Sequence, residues 1–177
     1  MSSFNVAGLL AESPGGTRDA RLRDHYVTLG QDVELAGPMD ADLRMQRTNR
    51  GILLRGTARA PLLRTCARCL DTFVEEVEVE LEEEFLPTID PHAGTPLALA
   101  PEDAGTSSID AHHEIDLRPL LHDELALTEP MHPLCRPDCP GLCSVCGRSL
   151  AGAPHDHPDD EIDPRLAALA SLLERES

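Results

Sequence analysis

Between Thr17 and Phe85 apolar and polar positions tend to alternate, the spacing expected when a strand buries one face and wets the other. The signal is cleanest where Phe73, Val77, Val79 and Leu81 fall on odd positions and Glu76, Glu78, Glu80 and Glu82 on even ones. Strands are expected over 18–29, 41–48, 51–63 and 71–85, with Asn49-Arg50-Gly51 as a tight turn. Ahead of them a short apolar opening, Asn5 to Leu10, ends at the turn signal Ser13-Pro14-Gly15-Gly16. Behind them 87–110 is rich in Pro, Gly, Ala and Thr without periodicity and reads as a flexible loop. Asp116 then caps a helix from Leu117 to about Leu127, with Leu117, Leu120, Leu121 and Leu125 on one face and Pro119 tolerated in the first turn. Asp163-Pro164 opens a second helix over 165–174 with a Leu166, Leu169, Leu173 stripe. The pattern predicts an α+β fold: an antiparallel sheet or partly open barrel over 1–86, the loop, then one or two packed helices over 111–177, all in one co-folded domain.

The third and fourth strands are expected to form a hairpin turning over Cys66-Ala67-Arg68-Cys69. A register in which paired numbers sum to 135 sets Ala58 against Val77 and Leu54 against Leu81 on the apolar face. The same register sets Arg59 against Glu76 and Arg55 against Glu80 on the other face. Part of the arginine content is therefore expected to neutralise the glutamate ladder, as charged strand faces are usually solvated pairs.

Charge changes the picture. The chain has 177 residues and a net charge of −17, which argues against coating nucleic acid by bulk electrostatics. That charge is unevenly spread: residues 1–74 hold ten Arg against eight acids, while 75–177 hold five Arg against twenty-four acids. Between Arg44 and Arg68 there are seven Arg and no acid, and the chain has no Lys. Aromatic residues are only 2% of the chain, so base-stacking platforms are nearly absent. No apolar run approaches the roughly 20 residues that span a bilayer, and no secretory leader is visible at Met1 to Gly16, so a cytoplasmic protein without disulfides is expected.

Six cysteines then ask for a metal. Cys143-Ser144-Val145-Cys146-Gly147 has the form of a zinc knuckle, and Cys66 with Cys69 makes a second Cys-x-x-Cys at the hairpin tip. Three arrangements of structural Zn(2+) are open: Cys135, Cys139, Cys143 and Cys146 on one ion; Cys66 and Cys69 with two distal thiolates; or two ions, with His155 or His157 completing the count. His25, His92 and His122 read as surface or structural residues. His112-His113-Glu114 followed by Cys143-x-x-Cys146 imitates the zinc deaminase pattern, but Leu142 stands where that pattern has Pro. No His-Glu-x-x-His, phosphate loop or nucleophile elbow occurs, and an enzyme is not expected.

The order of several pieces resembles the YceD family. They are Arg64-Thr65-Cys66-Ala67-Arg68-Cys69-Leu70 between two strands, Glu83-Glu84-Phe85, Ile115-Asp116-Leu117, and Asp123-Glu124-Leu125-Ala126-Leu127 with Pro130. Pro133-Leu134-Cys135 through Cys146-Gly147, with Asp163-Pro164-Arg165-Leu166, resembles the form of that family found in actinobacteria. The likeness covers about four-fifths of the chain. It implies a cytoplasmic protein needed for accumulation of large-subunit ribosomal RNA, with no catalytic residues to carry over, and the hairpin Cys66 and Cys69 match a recurring family feature. The expected function is thus a ribosome biogenesis factor that supports synthesis, processing or stability of 23S ribosomal RNA by binding it or a pre-ribosomal particle. Arg44, Arg47, Arg50, Arg64 and Arg68 are the expected RNA-facing residues, since Arg forks suit phosphate. The acidic half would meet a basic ribosomal protein. Two other classes stand beside this one: a protein-only module for such a partner, and a zinc-dependent deaminase-like enzyme. No membrane and no small-molecule substrate are expected.

Overall fold

The computed structural model describes residues 3–91, 93–97, 105–152 and 157. In chain order its elements are β1 (Ser3–Asn5), α1 (Ala7–Leu10), β2 (Thr17–His25), β3 (Met39–Arg47), β4 (Ile52–Thr65), β5 (Thr72–Pro87), β6 (Ser108–Ile109), β7 (Glu114–Asp116) and α2 (Arg118–Ala126). The fold is α+β. Strands β2-β3-β4-β5-β6 form one open sheet in sequence order, antiparallel except that β6 lies parallel on the end of β5. Strands β1 and β7 form a small second pair.

The alternation read from the sequence decides which face is dry. In β3, Met39, Ala41, Leu43 and Met45 are buried while Asp40, Asp42, Arg44 and Gln46 face solvent. In β4, Ile52, Leu54, Ala58, Ala60 and Leu62 are buried, and in β5 Val79, Leu81 and Phe85. Leu9 and Leu10 of α1, Ile109, Ile115 and the α2 side chains Leu120, Leu121 and Leu125, with Leu117 just ahead, join them in one core. Each fully buried leucine contributes roughly 1.5–3 kcal/mol of transfer free energy, so this stripe, and not intrinsic propensity, holds a nine-residue helix. The opposite face is a grid of ion pairs: Arg44 with Asp19, Arg55 with Glu82, Arg59 with Glu78, and Arg21 and Arg23 with Asp42.

Three expectations are corrected. The β4–β5 pairing sums to 137, not 135, so Ala58 faces Val79, Arg59 faces Glu78 and Arg55 faces Glu82. The reason lies in the tip, where Thr65 pairs with Thr72 and six residues, not four, make the turn. The first long strand stops at His25: Asp24 has φ of 49°, the pairing shifts between Leu22 and His25, and Tyr26 leaves the sheet 76% exposed. Of the two forms expected for this half, sheet or partly open barrel, the open sheet is the one found. Leu117 takes the cap position of α2, while the Asp116 carboxylate accepts the Arg118 N–H at 3.0 Å and is held below the usual carboxylate range by the Arg118 side chain. At the start of the expected loop Pro87 pairs with Ile109, and Leu86 just before it with Ser108. The expected helix over 165–174 lies outside the described residues.

Candidate metal centre

Cys66 and Cys69 sit on the turn that joins β4 to β5. Cys66 N–H donates to Asp71 O at 2.9 Å and Leu70 N–H returns to Cys66 O at 3.0 Å, so the chain curls around the two sulfurs. Leu70 takes φ of 62°, a left-handed conformation that costs a branched side chain free energy and lets the loop close. Residues 133–141 lie across this tip. Ala67 N–H donates to Pro133 O at 2.7 Å, Arg68 Nη1 donates to Cys139 O at 3.0 Å, and Gly141, with φ of 77°, brings its backbone so near Arg68 O that a Cβ there would sit 3.1 Å away.

The result is a four-thiol cluster of Cys66, Cys69, Cys135 and Cys139, in which all sulfurs lie within 4.8 Å of one another. Cys66 Sγ lies 3.8 Å from Cys139 Sγ, and Cys69 Sγ 3.8 Å from Cys135 Sγ. A disulfide needs about 2.05 Å. A tetrahedron of thiolates around Zn(2+) with bonds of about 2.3 Å has edges of about 3.8 Å. The donor set therefore fits a structural tetrahedral ion. Cys66, Cys69 and Cys139 are buried, with Phe73 and Leu134 packed beside them, while Cys135 faces solvent.

The electrostatics favour a cation. N–H groups of Cys135, Cys69 and Arg68 point at the Cys66 sulfur and bring its thiol down to about 6. The N–H of Asp71 pulls Cys69 the same way, but burial and the neighbouring Cys66, Asp71 and Cys139 push it up to about 12. Burial, then Cys139 and Cys66, raise Cys135 as well. One thiolate forms readily and opposes the next; a dication reverses that opposition.

Cys143 and Cys146 form a second group with His157, their ligand atoms again within 4.8 Å of one another. Cys143 N–H donates to Arg148 O at 2.8 Å, Gly147 N–H returns to Cys143 O at 2.9 Å, and Gly147 has φ of 70°. The Leu142–Ser149 bridge closes this small hairpin. Cys143 Sγ and His157 Nε2 are 3.2 Å apart, and Cys146 is exposed. His155 lies outside the described residues.

The five expected RNA-facing arginines are not brought to one edge. Arg44 is exposed on the outer sheet face, its Nε 3.0 Å from Asp19 Oδ1. Arg47 donates to Leu10 O at 3.3 Å and Gly51 O at 3.0 Å, fastening the β3–β4 turn to α1. Arg64 is 7% exposed and is held by Glu75 and by Thr128 Oγ1 at 2.8 Å. Arg68 is exposed and clasps the cysteine segment through Cys139 O, and Arg50 is exposed beside the turn. Arg55, expected only as a partner of the glutamate ladder, stands directly opposite Arg44, between Asp19 and Glu82 across four strands. Sequence reasoning missed Phe73 and Leu134 as the apolar lining of the first cluster. Phe73 was visible only as one of the alternating apolar positions and Leu134 only as the neighbour of Cys135. His112, His113 and Glu114 stand at the start of β7, where Asn5 Nδ2 donates to His112 O at 3.0 Å, and belong to neither thiol cluster.

The family model of the large ribosomal RNA subunit accumulation protein YceD matches residues 54–173, which include all six cysteines. An uncharacterised protein of Mycobacterium tuberculosis is 39% identical over 145 residues, covering 82% of this chain and 67% of that protein. One of Mycobacterium bovis gives the same figures, and one of Mycobacterium leprae is 37% identical over 141 residues, covering 80% of this chain and 62% of its own length. The chain thus spans about two thirds of the length of these relatives. No solved structure matches it. Among the described residues no helix is long and apolar enough to cross a membrane.

Proposed function

This chain belongs to the YceD family of large ribosomal RNA subunit accumulation proteins, and on that premise we propose that it is a cytoplasmic ribosome biogenesis factor. It supports synthesis, processing or stability of 23S ribosomal RNA by binding, not by catalysis. The observation that carries the reading is the family match across 54–173, a span that runs from β4 through both thiol clusters. The metal is Zn(2+), one ion in the four-thiol cluster and a second held by Cys143, Cys146 and His157, because thiolate-rich tetrahedral sets select zinc. The first ion clips the β4–β5 tip to residues 133–141 and so fixes Arg68 beside it.

RNA phosphate meets Arg44 and Arg55 on the outer face, with Arg50 and Arg68 beyond them. Exposed ion pairs are worth about 0.2–1 kcal/mol, so phosphate can take the arginine forks from Asp19 and Glu82. The test is binding of 23S ribosomal RNA to the zinc-loaded protein over a salt series. Affinity should fall steeply between low and physiological salt, and Arg44→Glu with Arg55→Glu should abolish it. A flat salt response defeats direct contact.

One observation favours a second reading, the protein-only module: every outer-face arginine from Arg44 to Arg59 already has a carboxylate partner, in a chain of net −17. That reading expects 23S ribosomal RNA levels in cells to be unchanged by the double Arg→Glu variant. The deaminase-like reading expects Glu114→Ala to abolish function with both metal equivalents retained.

A further inference from the structure

Strand β5 is sixteen residues long, yet its outer neighbour β6 pairs only with Leu86 and Pro87. From Thr72 to Phe85 one side bonds β4 in an unbroken register, and among the described residues no strand pairs with the other side. Such an edge presents a row of unmet N–H and C=O groups, and proteins usually guard it with shortness, a bulge, proline or lysine. Over 72–85 this strand has none of these.

What it carries is acid. Glu75, Glu76, Glu78, Glu80, Glu82, Glu83 and Glu84 lie along it with no cation of its own. Arg64, Arg59 and Arg55 of β4 hold Glu75, Glu78 and Glu82, and Thr48 Oγ1 donates to Glu84 at 2.8 Å. Glu76, Glu80 and Glu83 have no partner among the described residues, and the first two are exposed on the outer face. The opposite edge, β2, is of the other character, with Arg18, Arg21 and Arg23 among two Asp.

We propose that the open edge of β5 is a docking strand for an extended Lys/Arg-rich segment of a partner protein. The segment adds as a further strand, its backbone completes the ladder, and alternate cationic side chains lie over Glu76 and Glu80. Charge selects this occupant over the others. Two copies pairing β5 to β5 would place glutamate ladders side by side, which like-charge repulsion opposes, and nucleic acid would meet the same repulsion. The inference does not require RNA contact elsewhere on the molecule, so it and the function proposed above can fail separately.

The test uses the full zinc-loaded chain and a twelve-residue peptide alternating Lys and Thr, against two copies of it N-methylated at alternate residues, one in each phase. Methylation in the ladder-forming phase removes backbone donors and keeps every charge. Expected results are binding of the plain peptide, at least tenfold weaker binding of one methylated phase, and slowed amide exchange confined to 72–85. Glu76→Gln with Glu80→Gln should weaken binding by a similar factor and leave 23S ribosomal RNA binding unchanged. Equal binding of all three peptides, no binding at low salt, or protection elsewhere in the chain would each overturn the proposal. The peptide comparison stands on the wild-type chain alone, so a variant that failed to fold would not rescue it.

Discussion

The two Cys-x-x-Cys tips are the same turn set in different surroundings. In each, the first Cys N–H bonds the carbonyl five residues on, the residue four on bonds back, and that residue is left-handed: Leu70 at φ 62° in one, Gly147 at φ 70° in the other. The first tip ends the longest hairpin of the sheet, and the segment carrying Cys135 and Cys139 is folded over it. The second ends a hairpin closed by one bridge, and its sulfurs are half-buried and exposed. The difference teaches that the sulfur spacing fixes a local loop, while what packs around that loop decides whether an ion there staples the fold or only its own few residues.

That contrast can be broken most directly by removing the thiols. Cys66→Ser with Cys69→Ser should lose one zinc equivalent, free residues 133–141 and lower the melting temperature by on the order of 10 °C or more. Cys143→Ser with Cys146→Ser should lose the other equivalent and move the melting temperature by no more than a few degrees. Metal content by mass spectrometry and thermal unfolding read both; equal destabilisation would erase the distinction. A milder version uses a weak chelator on the intact protein: one equivalent should leave within minutes and the second only on unfolding, since three of the four first-site sulfurs are shielded.

A smaller effect is expected one step out from the first tip. Arg64 pairs with Phe73 in the register and reaches Thr128 beyond the end of α2, so Arg64→Ala strands Glu75 and releases that end. A loss of about 1–3 kcal/mol by denaturant unfolding is expected, with both zinc equivalents kept. Smallest is a charge on α2 itself. His122 lies 2.9 Å from both Asp123 and Asp32, and these carboxylates raise it above its ordinary value. Its folded-state pKa being raised, the contribution is full below about 6.5, the unfolded value, and is lost as pH climbs through the folded one. His122→Gln should therefore lower the melting temperature at pH 6 and leave it nearly unchanged at pH 9.

The sheet was legible because its faces differ in polarity, and the α2 stripe for the same reason: Leu117, Leu120, Leu121 and Leu125 are all buried. The register of β4 on β5 was not, because Glu76, Glu78, Glu80 and Glu82 repeat every two residues. A slip of two keeps Leu54 and Leu81 inward and Arg55 and Arg59 each opposite a glutamate, so only the length of the six-residue tip selects the true pairing. Strands β1, β6 and β7, of three, two and three residues, are too short to show a period. The knuckles were legible from spacing, but their partners were not, since the pairing of Cys66 with Cys139 spans 73 residues. The partners of Arg47 and Arg64 were not legible either, because a run without acids says nothing about the carbonyls and distant Glu75 that receive them.

That span also sets a timetable for synthesis. Hairpin β4–β5 is built from near neighbours and can zip as soon as Pro87 is clear, whereas Cys69 meets Cys135 across 66 residues. At about 5–20 residues per second the ribosome needs roughly 3–13 s to make that stretch. For those seconds the nascent chain displays a half-made thiol pair, open to whatever metal or oxidant the cell offers first.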